Sequence, residues 1–291
     1  MNVRSLFTIV LLVGAALFSC AQPSDGPRLI VRGDDMGYSH SGNEALIRCS
    51  RDGIQTSIEV IVPSPWFPEA VRLLEENPDI DVGIHLALTS EWDNVKWRPV
   101  SWSPGLTDED GYFYPFIWPN KNYPGRALLE NKWTLEEIER EFRAQIELAL
   151  KKIPRISHVS AHMGCTNIND DVRALVKKLT KEYNIDVDLA AAGVTSVRYE
   201  GPHTTSAEKK ESFIKMLRKL ERGKTYLFVE HPGLDNEELR AISHIGYEDV
   251  AQDRQGVTDM WTDPEVKALI RELGIRLISY ADIRAETTGK R

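Results

Sequence analysis

Cysteine is scarce: three residues in 291, too few for a disulfide framework to replace a hydrophobic core. Basic charge is also short, with 36 Lys and Arg against 44 Asp and Glu. The formal charge of −8 therefore offers no electrostatic footprint for nucleic acid. No apolar run reaches the length of a comfortable bilayer span, which argues against a multi-spanning channel. No internal repeat and no shift in composition divides the chain. What remains is a soluble globular composition, 42% hydrophobic and 27% charged, at a length that suits one large α/β domain.

The first twenty residues stand apart. Arg4 supplies a positive start, Leu6 to Leu17 form a short apolar run, and Leu17-Phe18-Ser19-Cys20 leads into a polar stretch. Such a run reads as an export signal. The segment resembles a bacterial lipoprotein signal, with Phe18 bulkier than the residue usual at that place; an ordinary secretory signal is the alternative. The resemblance implies loss of residues 1–19, lipid on Cys20, and a tether over 20–27. It also implies an exported protein, periplasmic or surface-facing, whose membrane contact runs through that lipid only. Cys49 and Cys165 remain in the mature chain, and nothing in the sequence brings them together.

Beyond residue 27, strand-like and helix-like patterns alternate. Residues 28–33, 54–62, 81–88, about 156–162, 185–190, 195–199, 226–230 and 275–280 read as strands. Thr134 and Glu137 have capping-box spacing, followed by Leu135, Ile138, Phe142, Ile146 and Ala149 at helical intervals. Asp263-Pro264 opens another helix that Gly274 closes. The alternation predicts a mostly parallel sheet, open or closed into a barrel, and seven or eight strands with about six helices favour an irregular, TIM-like (β/α) barrel.

One segment interrupts the alternation. Between Trp92 and Tyr123 the chain is dense in Trp, Tyr, Phe and Pro. A long loop this aromatic reads as a small core of its own, as a lid whose rings stack on sugar faces, or as both.

Polar residues gather at the strand ends. The first strand leads into Gly33-Asp34-Asp35-Met36-Gly37, and the third carries His85 in an apolar run. The fourth reads Ser157-His158-Val159-Ser160-Ala161-His162, where a two-residue period puts His158, Ser160 and His162 on one face. The strand at 226 runs into Glu230-His231-Pro232-Gly233. C-terminal strand ends of a parallel barrel converge on one rim, where active sites are built. Two imidazoles and a carboxylate with open positions form the ligand set of a catalytic divalent site.

Gly33-Asp34-Asp35-Met36-Gly37-Tyr38-Ser39 with Asn43, and Gly83-Ile84-His85-Leu86-Ala87-Leu88-Thr89, resemble the signatures of the YdjC family of carbohydrate deacetylases. Ser157-His158, His162, Glu230-His231-Pro232-Gly233 and Arg254 follow in the family's order. The resemblance spans residues 28–284, leaving 285–291 as a tail, and implies an irregular (β/α) barrel with Asp35, His85 and His162 as metal ligands, Asp34 as general base and His231 as general acid. Arg254 would contact the sugar or orient a carboxylate, and His158 would support the ligands from behind. The implied ion is divalent, zinc or magnesium first, with manganese, cobalt and nickel also compatible. The implied substrate is an acetylated mono- or oligosaccharide.

The chain departs from the family pattern around those ligands. Met163 and Gly164 stand where further histidines are usual, Ser160 stands where Asp is common, and Glu59 lies in the second strand. Two other readings stay open: a sugar-binding lipoprotein with altered catalysis, and another metal-dependent ester or phosphoester hydrolase on the same barrel.

Overall fold

The computed structural model describes residues 26–289. The expected export signal, Cys20 and most of the expected tether lie outside them. Seven parallel strands form one curled sheet, a half-barrel in the order β4-β3-β2-β1-β6-β5, with β7 paired to β1. They are β1 (Arg28–Met36), β2 (Ser57–Val60), β3 (Asp81–Leu86), β4 (His158–Ala161), β5 (Val194–Ser196), β6 (Thr225–Glu230) and β7 (Arg276–Leu277). Among the described residues no pairing joins β4 to β5, so the barrel stays open along that seam.

Helices cover the outside: α1 (His40–Asp52), α2 (Phe67–Glu76), α3 (Leu135–Lys152), α4 (Asp170–Glu182), α5 (Ser206–Leu217), α6 (Glu237–Arg240), α7 (Val250–Thr262), α8 (Pro264–Glu272) and α9 (Tyr280–Thr288). Their starts follow local chemistry. Ser39, Thr134 and Asn169 each accept from a backbone N–H of the helix they open. Asp263 caps α8, where proline occupies the first turn and needs no donor. Among the described residues no helix is long and apolar enough to cross a membrane.

Strand alternation decides what faces inward. Leu29 and Val31 of β1 pack outward on Phe213, Trp261 and Ile270 of the helical layer. Ile30 points inward and closes one end of the barrel with Leu227, Ile278 and Tyr280. Arg32 and Asp34 follow on the same face, nearer the other end. The interior thus changes from apolar to charged along a single strand.

Two expected strands turn out differently. Residues 185–190 form no strand, although Val187 and Leu189 alternate with Asp186 and Asp188. Val187 and Leu189 instead pack on the Ile30–Tyr280 cluster, in the region the missing β4–β5 pairing leaves open. The run at 275–280 gives only two paired residues, because Ser279 caps α9 immediately afterwards. The aromatic excursion forms a small core: Trp92, Trp97, Phe113, Phe116 and Tyr123 are buried, while Trp102 and Trp118 remain exposed.

Candidate metal centre and active site

Consecutive residues of a flat strand face opposite sides of the sheet, yet Asp34 and Asp35 both reach the same mouth. A bulge makes this happen. Gly33 pairs with Ile58 and Met36 with Val60, so three steps on β1 oppose two on β2. Asp35 takes φ of 73° inside the bulge, a left-handed conformation that costs a β-substituted residue on the order of 1–3 kcal/mol. Fixed this way, Asp35 Oδ1 lies 3.5 Å from His85 Nε2 and 3.1 Å from His162 Nδ1. Asp34 Oδ2 lies 3.7 Å from the same His85 nitrogen.

Each ligand candidate is held from behind. Arg254 of α7 donates from Nη2 to Asp35 Oδ2 at 2.9 Å, leaving Oδ1 to the imidazoles. The guanidinium itself lies against the rings of Tyr38 and Trp92. Arg254 is buried behind Asp35 rather than presented at the rim. His162 Nε2 faces Glu91 at 2.9 Å, and His85 Nδ1 faces Ser160 Oγ at 2.7 Å. Arg32 grips Asp34 with two nitrogens, at 2.7 and 2.9 Å, and also donates to Tyr280 Oη.

His231 follows β6, with Nε2 3.9 Å from Asp35 Oδ2 and Nδ1 3.6 Å from Glu230. Its side chain is 39% exposed, against 5% or less for Asp35, His85 and His162. It also borders a cavity of about 380 Å³ lined by Arg198, Tyr199, His203 and Glu230. His158 lies away from the three candidate ligands, with Nε2 2.6 Å from Glu59. Beyond His162 the chain turns through left-handed Met163 and Gly164, and a side chain at Gly164 would meet the Trp118 ring at 3.0 Å.

Electrostatics fit a cation at this point. Burial opposes charge on Asp35, but His231, His162 and Arg254 outweigh it and hold its carboxyl well below the usual range. Burial also disfavours a charged His162, yet Glu91 and Asp35 raise its pKa to about 10. His231 is raised too, with Asp35 and Glu230 overcoming burial. Asp35 and Glu91 thus draw positive charge onto the imidazole between them even with Arg254 already paired to Asp35. One donor atom each from Asp35, His85 and His162 lies within 4.8 Å of the others. Ligands about 2.0–2.2 Å from a tetrahedral ion stand roughly 3.4 Å apart, close to the separations found here.

Glu91, Arg32 and Tyr280 escape the sequence reading. A lone glutamate in a loop carries no signature. Arg32 has one faint signal, its two-residue offset from Asp34 on a strand.

The family described as YdjC-like protein matches residues 28–272. The chain belongs to the YdjC-like family. A Clostridium beijerinckii carbohydrate deacetylase is 30% identical over 267 residues, covering 88% of this chain and all of the relative. A Thermus thermophilus carbohydrate deacetylase is 30% identical over 235 residues, 74% of this chain and 80% of its own. The crystal structure of an Enterococcus faecalis protein named for cellobiose-phosphate cleavage superimposes with a TM-score of 0.69. It shares 24% identity and covers 89% of this chain and 99% of its own, which places the half-barrel among known folds.

Proposed function

We propose that this YdjC-like protein is a metal-dependent deacetylase that hydrolyses the acetamide of N-acetylated mono- or oligosaccharides. The observation that carries the reading is the meeting of Asp35 from β1, His85 from β3 and His162 from the turn after β4, with Asp34 alongside. Its YdjC-like relatives named carbohydrate deacetylases support the substrate class.

Asp35, His85 and His162 would hold the divalent ion, which when bound supplies Lewis acidity toward a carbonyl and toward water. Asp34 lies beside these donors, gripped by Arg32, and accepts the proton of the attacking water. The water oxygen joins the acetyl carbon as the carbon–nitrogen bond breaks. His231 gives its proton to the departing amine, and the neighbouring carboxylates of Asp35 and Glu230 favour the protonated ring this needs. Arg254 fixes which oxygen of Asp35 faces the imidazoles. The products are acetate and the free amino sugar.

The test is acetate release from a panel of N-acetylated oligosaccharides, measured with metal content on the same preparation. Release that depends on the metal supports the reading. Sugar binding without release favours a binding protein, and phosphate release from phosphorylated sugars favours a phosphoesterase. Export and lipidation at Cys20 belong to the same proposal. Incorporation of labelled fatty acid that Cys20→Ala abolishes supports them.

A further inference from the structure

A line of hydrogen-bonding groups runs through the barrel interior and ends at His85. Asp81 Oδ1 lies 2.6 Å from Ser157 Oγ, which lies 2.7 Å from His158 Nδ1. His158 Nε2 meets Glu59 Oε1 at 2.6 Å. The other oxygen of Glu59 accepts from Ser160 Oγ at 2.5 Å, and Ser160 Oγ meets His85 Nδ1 at 2.7 Å. Glu59 is fully buried, and His158 and His85 nearly so.

Strand register makes the line. Glu59 of β2 and His158 of β4 both pair with Gly83 of the strand between them. A side chain at Gly83 would sit 2.4 Å from both Glu59 Oε2 and His158 Nε2, so only glycine lets the two meet across β3. Two residues along, on the same face, His85 and Ser160 are direct partners. Tyr280 stacks on the His158 ring at 3.6 Å and 4°, fixing its plane.

We infer that Glu59, acting through Ser160, is a positioning group that sets the tautomer and ring orientation of His85. Ser160 has one hydroxyl proton and gives it to Glu59, so its oxygen can only accept from His85. His85 Nδ1 therefore carries a proton, and in the neutral ring that metal binding requires Nε2 keeps its lone pair toward Asp35, 3.5 Å away. A metal-binding imidazole whose outer N–H leads to a carboxylate is a more basic and better oriented ligand. Here the carboxylate acts through a serine hydroxyl. The inference rests on the metal centre proposed above.

The test titrates Co²⁺ into the metal-free wild-type protein and the Ser160→Ala and Glu59→Gln variants, reading affinity from visible absorption. Nitrogen NMR of the metal-free proteins reports the His85 tautomer. Each variant is expected to weaken Co²⁺ binding about 10–100-fold, the usual effect of losing such a partner, and to lose the single Nδ1–H form. The double variant Glu59→Gln/Ser160→Asp, which brings a carboxylate directly to His85, should regain affinity. Wild-type affinity and an unchanged tautomer in Ser160→Ala overturn the inference while leaving the metal centre standing. Absence of Co²⁺ binding by the wild-type protein overturns both.

Discussion

His162 and Glu91 face each other at 2.9 Å through Nε2, which leaves Nδ1 of the same ring turned to Asp35. Each imidazole of the candidate centre thus has an inner nitrogen at Asp35 and an outer nitrogen tied to a polar partner. Glu91→Gln replaces a charged acceptor with a neutral one. Metal affinity should fall about 10–100-fold with the fold intact. Calorimetric titration with Zn²⁺ checks this, and unchanged affinity would remove Glu91 from the account.

Asp34 is assigned a proton-accepting role rather than a place among the ligands. Asp34→Asn should keep bound metal and lose acetate release by about 10²-fold or more. Metal analysis beside the turnover assay separates the two roles. Retained turnover would end the base assignment.

Arg254 and Asp35 form a pair that is buried on both sides. Removing one partner leaves the other charged in a poor solvent, at a cost of roughly 3–5 kcal/mol. Arg254→Met should lower the melting temperature of the metal-free protein substantially. Added divalent ion should recover part of the loss, because it binds only the folded state. Thermal melts with and without metal check both statements.

Burial opposes the charged form of Glu59, but His158 and Arg32 outweigh it and lower its pKa to about 2. An unfolded glutamate titrates near ~4.3. Because the folded value is the lower one, the stabilisation is complete above about pH 4.3 and disappears as pH falls toward 2. Glu59→Gln should flatten the acid limb of the stability curve in that window. An equal slope in both proteins contradicts this.

The parts written in local motifs were legible. A carboxylate pair after a β-prone run and histidines on further strands mark the site, the YdjC resemblance singles out Asp35, His85 and His162 among them, and the fold brings those three together. Features that depend on long-range packing were not. The alternation at 185–190 looks like a strand, yet Val187 and Leu189 pack on the interior cluster without pairing. The bulge that aims Asp34 and Asp35 together is invisible until β1 meets β2. Glu59 stood out in the second strand, but its partner across Gly83 emerges only from register.

The most direct measurement is metal content and acetate release in wild type, His85→Ala and His162→Ala, each with a circular dichroism spectrum. The account predicts a folded protein in all three, and loss of both metal and acetate release in the two variants. Folded variants that keep wild-type metal and wild-type release would contradict it.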